Sequence, residues 1–506
     1  MSLLIPGGSS RRPVGPSIAR VGLALAIAFG ALAAGAGYWQ VVRSAPLSAA
    51  ADNPAVQAAA RKSPRGLIVD REGTTLATNR RDENDETYRV YADPSMSTVI
   101  GYSSRQFGSA GLERAYDGQL VGAVRPDPVA DLLKKFESDP FDPLKLTLTL
   151  SLKLQKAAVR ALGDDRGAVV MLDPRNGEVL ALASTPTFDA SEITQPDTRA
   201  ATAAFNELRE DSGRPLLPRA TQGLYVPGSV FKIVTALAAL DSGSVTTSTT
   251  FSQQPKAEET GLLVSGFRIR DGHHPFTGSR ALDFEEATEV SCNIWYALAG
   301  LRTGGEALAA TAGRLGFGLP IPFDLTTSAS QLTNGGGNFG GGFKDQVELA
   351  NASYGQAETL VTPLQMALVA ATVANDGVLM QPRLVSSLTG KKSGTRTVTP
   401  ERLGEVVAPG VADDVRRAME RAVEGQYGRL FTAGAAVPGV PTAGKSGTAE
   451  LGGSGEPHSW FIGFAPADNP VVAIAVLVER GGRGGERAAP LGGDMLKLAL
   501  DTLNRR

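Results

Sequence analysis

Residues 227–240 read PGSVFKIVTALAAL, an apolar stretch that carries a single lysine close to its start. Pro227 and Gly228 interrupt the preceding structure, so the pattern predicts a helix whose first turn contains Ser229. Lys232 follows three residues later and would lie on the same helix face as Ser229. Because the remaining positions are almost all apolar, we expect this helix to be buried together with its lysine.

A buried lysine beside a serine has a specific chemical use. The first turn of a helix has unpaired backbone N–H groups and a positive potential. Burial and this potential both favour the neutral amine of Lys232, which can accept a proton. Ser229 would then be an activated nucleophile, and the free N–H groups would form half of an oxyanion hole. The alternative is a helix-capping serine and a lysine that reaches solvent, and Ser-x-x-Lys alone does not exclude it.

A second motif, Ser291-Cys292-Asn293, lies between the helical pattern of residues 282–290 and another at 294–301. The spacing places a hydroxyl group and an amide on one side of a turn between two helices. The alternative is an ordinary helix cap, with Cys292 as a small core residue.

A third motif, Lys-Ser-Gly-Thr, occurs twice. The copy at residues 392–395 lies among polar residues and is typical of an exposed hairpin turn. The copy at residues 445–448 precedes the apolar hairpin pattern of residues 459–479, which predicts a strand at the edge of a sheet. We therefore assign the functional motif to the second copy, because structural context must support so short a motif.

An edge strand with this composition suits the binding of an extended peptide. The Lys445 amine and the hydroxyl groups of Ser446 and Thr448 can bind a carboxylate. Gly447 would let the backbone of the substrate approach closely, and the edge itself can pair with a peptide.

Composition excludes several other kinds of chemistry. Basic and acidic side chains number 50 and 52, so no basic surface indicates a nucleic-acid partner. Cys292 is the only cysteine, which excludes an intrachain disulfide and a metal site made of several cysteines. The three histidines, His273, His274 and His458, show no metal-binding spacing. We therefore expect catalysis without a metal or another cofactor.

The N-terminal segment is typical of a membrane anchor. Residues 1–20 contain three arginines and no acid, and residues 21–42 contain no charge. A helix over the uncharged run would be roughly 33 Å long, enough for one membrane crossing. The flanking arginines predict a cytoplasmic tail and an extracytoplasmic remainder. A cleaved signal peptide is the alternative, because Ala31, Ala33, Ala34 and Ala36 within the run are small residues of the kind that a signal peptidase accepts.

The rest of the chain divides into a connector at residues 43–62 and two further parts. Residues 63–143 contain short mixed segments and predict a small domain without catalytic residues. Residues 144–506 contribute strands from both ends and helices from the middle. We expect this second part to form an antiparallel sheet covered by helices, with an all-helical lobe beside it.

The three motifs in this order resemble the penicillin-binding protein and serine β-lactamase superfamily. Four longer stretches are similar to the transpeptidase domain of class B penicillin-binding proteins: PRATQGLYVPGSVFK (218–232), GAVVMLDPRNGEVLALASTPTFD (167–189), YGQAETLVTPLQMALVAATVANDGV (354–378) and HSWFIGFAP (458–466). RGLIVDREGTTLA (65–77) and GLERAYDGQLVG (111–122) are similar to the N-terminal pedestal of that class. The resemblance is to the penicillin-binding protein A-like branch. It implies an α+β chain with a membrane helix, a dimerisation-like pedestal and a penicillin-binding domain.

The resemblance also implies a peptidoglycan D,D-transpeptidase that works through acyl transfer. Ser229 would attack the bond between the two terminal D-alanines of a stem peptide, and Lys232 would take its proton. Ser291 would relay a proton to the departing D-alanine with help from Lys445, and Asn293 would bind the stem-peptide amide.

Ser446, Gly447 and Thr448 are implied in substrate binding, together with the backbone of Ser229. The N–H groups of Ser229 and Thr448 would hold the oxyanion, and the hydroxyl groups of Ser446 and Thr448 would hold the terminal carboxylate beside Gly447. β-Lactams would acylate the same serine. A membrane glycosyltransferase of the division or elongation machinery is the implied protein partner.

Two other functions are compatible with the motifs. A secreted β-lactamase shares them but must activate water for deacylation, and the pedestal and membrane segment argue against it. A non-catalytic scaffold or β-lactam sensor would keep an idle site, although about 20 residues before the membrane run are too few for a signalling domain. A bifunctional enzyme would need a glycosyltransferase domain, for which the region before residue 144 is too short.

Overall fold

The computed structural model describes residues 15–38, 64–122, 142–272, 274–432, 434–452 and 455–503. Contacts divide the chain into two units, residues 1–64 with 125–140 and residues 65–124 with 141–506. All three motifs lie in the second unit.

The strands of the described residues are short, and most pair with neighbours in antiparallel register. They are β1 Ile68–Val69, β2 Thr75–Arg81, β3 Thr87–Tyr91, β4 Ser103–Ser104, β5 Gly108–Ser109, β6 Lys145–Leu148, β7 Gly167–Leu172, β8 Val179–Thr185, β9 Leu262–Val264, β10 Phe267–Ile269, β11 Val378–Met380, β12 Val385–Gly390, β13 Gly394–Thr397, β14 Arg402–Glu405, β15 Ala443–Ala449, β16 His458–Ala465 and β17 Val472–Val478.

The helices of the described residues lie along the whole chain, and most of them fall between β8 and β15. They are Gly15–Gly37, Ser97–Ile100, Gly111–Ala115, Asp117–Val121, Leu152–Leu162, Ala190–Thr194, Thr198–Glu210, Arg219–Gln222, Lys232–Asp241, Gln254–Thr260, Phe284–Glu289, Asn293–Thr303, Gly305–Arg314, Gln346–Ala352, Pro363–Ala374, Pro409–Glu424 and Ala488–Leu503. Shorter 3-10 turns occur at Pro94–Met96, Gly228–Phe231 and Gly428–Leu430.

A five-stranded antiparallel sheet with the order β15-β16-β17-β7-β8 positions the third motif. Successive side chains of a strand point to opposite faces, so the buried strand β7 contributes to two cores. Ala168, Val170 and Leu172 belong to one core, and Val169 and Met171 to the other. Helix Pro363–Ala374 covers the first face, and helices Leu152–Leu162 and Ala488–Leu503 cover the second. This confirms the predicted sheet between layers of helices.

The helical lobe surrounds the helix that follows Ser229. Nine of the ten residues of helix Lys232–Asp241 are buried, and the helix packs against Asn293–Thr303 and Gly305–Arg314. This all-round burial explains its uniformly apolar sequence. One detail differs from the all-helical expectation, because β9 and β10 form a small antiparallel hairpin within the lobe.

A second sheet links the predicted pedestal to the rest of the unit. Its order is β13-β12-β6-β1-β2-β3, in which β1 and β6 pair in parallel. β1, β2 and β3 come from residues 63–143, whereas β6, β12 and β13 come from residues 144–506. The β1–β6 pairing therefore crosses the predicted boundary. Sequence patterns could not indicate it, because its partners, Ile68 and Leu146, are more than 70 residues apart. The division into these two domains stays a prediction.

The N-terminal unit contains helix Gly15–Gly37, of which Ile18–Gly37 has a mean hydropathy of 1.9 and could cross a membrane by length and composition. The helix begins within the predicted tail of residues 1–20, because one arginine among good helix formers does not end a helix. Residues 1–14 of that tail, residues 39–42 of the predicted span and the connector at 43–62 lie outside the described residues.

Candidate active site

The nucleophile motif begins in a tight turn. Ser229 lies in the 3-10 turn Gly228–Phe231, which leads directly into helix Lys232–Asp241. Side chains three residues apart eclipse in a 3-10 turn, which places Ser229 and Lys232 on one side. Gly228 has a φ of +56°, and a Cβ atom there would come within 2.7 Å of the Thr448 carbonyl oxygen. Glycine is therefore required where this turn contacts β15.

The Lys232 side chain is fully buried and joins the first motif to the second. Its Nζ atom donates to the Ser291 carbonyl oxygen at 2.5 Å, to Asn293 Oδ1 at 2.7 Å and to Ser291 Oγ at 3.1 Å. None of its hydrogen bonds within the described residues goes to Ser229. The burial predicted for Lys232 is confirmed, at 0% exposure.

Burial also sets the charge state of this amine. Removal from water lowers the pKa of Lys232 to about 8, although the negative charge of Asp271 acts in the opposite direction. A substantial fraction of the amine is therefore neutral near physiological pH. The reading of Lys232 as a lysine that reaches solvent is wrong.

The second motif forms a strained turn between two helices. Ser291 lies between helices Phe284–Glu289 and Asn293–Thr303 and has a φ of +60°, which is uncommon for a residue with a side chain. Cys292 caps the second helix by accepting a hydrogen bond from the Trp295 N–H. Such strain persists only where the surrounding contacts hold it in place.

The third motif lies on the predicted edge strand. Residues 445–448 form the middle of β15, which is at one edge of the five-stranded sheet. Lys445 is 1% exposed and donates to Ser291 Oγ at 2.8 Å, so two lysines meet at one hydroxyl group. Burial and the charge of Lys232 hold the pKa of Lys445 well below its usual range.

The two hydroxyl groups of β15 have different partners. Ser446 donates to the Phe431 carbonyl oxygen at 3.0 Å and is buried. Thr448 Oγ1 accepts from the Gly484 N–H at 3.1 Å, which leaves its own proton to donate. Thr448 is therefore better placed than Ser446 to donate a hydrogen bond to an anion. The difference comes from contacts with Phe431 and Gly484, which are distant in the sequence.

Gly447 allows β15 to pack closely against the turn that holds Ser229, which the motif alone did not indicate. A Cβ atom at this position would come within 3.0 Å of the Pro227 carbonyl oxygen and within 3.1 Å of the Val230 backbone nitrogen. The missing side chain of Gly447 therefore makes room for the turn that holds Ser229. The close approach of a substrate backbone, which we also expected of Gly447, stays a prediction.

This contact gives a testable expectation for Gly447→Ala. The added methyl group must displace β15 from the Ser229 turn by a few tenths of an ångström. We expect acylation by penicillin to slow about tenfold, since misplaced reacting groups lose rate steeply, and stability to fall by about 1–3 kcal/mol. Stopped-flow acylation and thermal unfolding measure both. Gly404→Ala is the matched control, because a Cβ atom at Gly404 meets nothing within 4 Å.

The other Lys-Ser-Gly-Thr copy lies in a different sheet from β15, the six-stranded sheet that contains β12 and β13. Residues 392–395 lie at the turn between β12 and β13, and the backbone N–H groups of Lys392 and Ser393 donate to Asp142. The exposed hairpin turn predicted for this copy is confirmed.

A cleft of about 1620 Å³ opens over the three motifs. Five of the predicted site residues line it: Ser229, Ser291, Asn293, Ser446 and Thr448. The two lysines and Gly447 lie buried behind these residues. The structure thus brings all eight predicted residues to one place.

Sequence patterns missed a group of side chains behind the second motif. Glu258, Asp271, His274 and Cys292 each offer one possible metal-ligand atom, and these atoms all lie within 4.8 Å of one another. Three separate segments of the chain supply them, so no spacing rule could have found them. We call this group the Cys292 cluster.

Comparison with known proteins places both folded regions in one family. Residues 167–497 match the family model described as the penicillin binding protein transpeptidase domain. Residues 65–139 match the model described as the penicillin binding protein A dimerisation domain.

Individual relatives extend the match to nearly the whole chain. The peptidoglycan D,D-transpeptidase PbpA of Mycolicibacterium smegmatis is 36% identical over 510 residues, which cover 96% of this chain and 99% of the relative. PbpA of Mycobacterium tuberculosis is 34% identical over 436 residues, which cover 81% of this chain and 84% of the relative. The imipenem acyl-enzyme complex of penicillin-binding protein A from M. tuberculosis superposes with a TM-score of 0.78 at 31% identity, covering 87% of this chain and 99% of that one. The chain therefore belongs to the penicillin-binding protein transpeptidase family.

Proposed function

We propose that this chain is a membrane-anchored peptidoglycan D,D-transpeptidase that cross-links stem peptides through an acyl-enzyme on Ser229. The observation that carries the proposal is the buried Lys232 amine, one turn after Ser229 and hydrogen-bonded to Ser291 and Asn293. The match to the peptidoglycan D,D-transpeptidase PbpA of Mycolicibacterium smegmatis, which covers 96% of the chain, supports the proposal. β-Lactams acylate the same serine, as in the acyl-enzyme complexes of the structural relative.

Acylation begins with proton transfer from the nucleophile. A neutral amine has two N–H donors and one lone pair. The two shorter hydrogen bonds of Lys232, to the Ser291 carbonyl and to Asn293, use the donors. The lone pair accepts a proton when the longer contact with Ser291 Oγ, at 3.1 Å, is given up. As Ser229 Oγ attacks the carbonyl between the two terminal D-alanines, its proton passes to Lys232. The N–H groups of Ser229 and Thr448 stabilise the oxyanion.

Departure of the terminal D-alanine requires a proton on its nitrogen. Ser291 Oγ is hydrogen-bonded to both Lys232 and Lys445, so it can pass a proton from the lysines to the leaving amine. The amine of a neighbouring stem peptide then attacks the acyl-enzyme, and the reverse transfer returns the proton. The new peptide bond is the cross-link, and Ser229 is restored.

The remaining residues hold the substrate. Asn293 Oδ1 accepts from Lys232, which leaves the amide nitrogen to donate to a stem-peptide carbonyl. Thr448 donates its hydroxyl proton to the terminal carboxylate. Ser446 would contribute a second hydroxyl group if its proton turned from the Phe431 carbonyl to the substrate. Gly447 lets β15 approach the Ser229 turn so that these groups converge.

The N-terminal helix supports a single-pass membrane anchor. We propose a cytoplasmic N-terminus and an extracytoplasmic catalytic domain, because arginines flank the apolar run on its N-terminal side. A membrane glycosyltransferase that supplies uncross-linked glycan is the partner this reaction requires.

One experiment separates this function from that of a β-lactamase. The transpeptidase should consume about one penicillin per chain in a burst and then stop, because the acyl-enzyme accumulates. Mass spectrometry of the intact chain, followed over time after removal of free penicillin, measures the adduct. Rapid loss of the adduct with continued hydrolysis of penicillin would support a β-lactamase instead.

A further inference from the structure

We propose that the Cys292 cluster binds one zinc ion, which holds the Ser291–Asn293 turn in its strained conformation. The chemical types of the four ligands favour zinc over other common metal ions. It contains one sulfur, one imidazole and two carboxylates, the ligand types that zinc accepts in four-coordinate sites. Magnesium and calcium prefer oxygen ligands alone, so the thiol and the imidazole argue against both ions.

The ligand side chains are almost wholly buried, as in structural zinc sites, although Asp271 and His274 also lie against the cleft. The side chains of Glu258, Asp271 and His274 are only 1%, 3% and 4% exposed, and Cys292 is 0% exposed. The ligand atoms lie within 4.8 Å of one another. Ligands bonded to zinc at about 2.0–2.3 Å lie roughly 3.3–3.8 Å apart, so the atoms need to move inwards by only about an ångström.

One distance within the cluster favours an ion over a closed hydrogen-bond network. His274 Nε2 and Asp271 Oδ1 are 3.7 Å apart, which is too long for a hydrogen bond. A metal ion bonded to both atoms would account for this separation. Other pairs in the cluster are hydrogen-bonded. His274 Nδ1 lies 2.9 Å from Glu258 Oε2, and the Cys292 thiol donates to Glu258 Oε1 at 2.7 Å.

The ligands are oriented by a second layer of hydrogen bonds, as is usual at metal sites. Asp271 Oδ2 accepts from the Ile294 N–H at 3.1 Å, and Glu258 Oε1 accepts from Gln254 Nε2 at 2.9 Å. Cys292 Sγ accepts from the Trp295 N–H at 3.2 Å. Zinc binding would release the thiol proton, since the thiolate is the ligand form.

The position of the cluster suggests what the ion does. Cys292 lies between Ser291 and Asn293, and Asp271 binds the first turn of the helix that Asn293 begins. An ion at these ligands would anchor both sides of the turn in which Ser291 has a φ of +60°. The ligands are therefore positioning residues, which act on the reaction through Ser291 and Asn293.

The test uses the full-length chain in detergent, reconstituted with Zn²⁺ and then gel-filtered. We expect about one zinc per chain by elemental analysis and a higher unfolding temperature than in chelator-treated protein. Substitution with Co²⁺ should give an absorption band from thiolate-to-metal charge transfer. Cys292→Ser should lose this band, and Asp271→Asn should hold less zinc. His458→Gln is the matched control and should keep both properties.

Two outcomes would overturn the proposal. One is wild-type protein that holds less than about a tenth of an ion per chain after reconstitution. The other is a Co²⁺ spectrum that is unchanged by Cys292→Ser, which would place the metal elsewhere. These readouts need no peptidoglycan chemistry, so a failure of the transpeptidase assignment would leave them unaffected. Slower penicillin acylation in chelator-treated protein, restored by Zn²⁺, would support the role in holding the Ser291 turn.

Discussion

Ser229→Ala should abolish acylation of the chain by a fluorescent penicillin. The substitution removes the only atom that we propose forms the acyl bond, and loss of a serine nucleophile in such machinery costs about 10⁵-fold or more in rate. The fold should survive, because Ser229 is half-buried and faces the cleft. Gel fluorescence after incubation with the label measures acylation, and thermal unfolding confirms that the variant is folded.

Ser242→Ala is the matched control for this experiment. Ser242 follows the same helix at its other end, and its hydroxyl group is bonded only to nearby residues within the described part of the chain. It should label like wild type. If Ser229→Ala still labels at the wild-type rate, another serine is the nucleophile, and peptide mapping should examine Ser291 first because it also contacts both lysines.

Local patterns in the sequence predicted the parts of the site that each motif contains. The apolar run after Pro227 indicated a buried helix, and the alternation around residues 459–479 indicated the sheet beside Lys445. Context also separated the two Lys-Ser-Gly-Thr copies correctly in structural terms, since residues 392–395 form a hairpin turn and residues 445–448 an edge strand. These features depend on neighbours within a few residues, which is the range that periodicity and turn signals can report.

Features that depend on distant contacts were not predictable in this way. Ser446 turns towards Phe431, and Gly447 is needed because the Ser229 turn packs against it. The Cys292 cluster joins segments separated by 13 and 18 residues with no regular spacing, so it resembled unrelated polar residues in the sequence. The sheet shared by β1 and β6 likewise arises from pairing across the predicted domain boundary.

Lys232→Arg should slow acylation by roughly 10²–10⁴-fold, the usual contribution of a general base. Arginine keeps the positive charge but does not lose its proton at accessible pH. The wild-type rate has a distinctive pH dependence, because burial lowers the pKa of Lys232 to about 8. Below this pH the neutral fraction falls about tenfold per unit, so the rate should rise with pH and level off above about 8.

The pH profile identifies the base more securely than the loss of rate alone, since a larger side chain could also disturb the buried site. We expect the residual rate of Lys232→Arg to be independent of pH where the wild-type rate rises. Lys392→Arg, in the exposed copy of the third motif, should keep the wild-type profile and controls for the chemistry of the substitution. A wild-type rate that is constant between about pH 6 and 9 would contradict the proposal that Lys232 is the base. A rising profile that persists in Lys232→Arg would transfer the role to another group, and Lys445 is the candidate because its amine also contacts Ser291 Oγ at 2.8 Å.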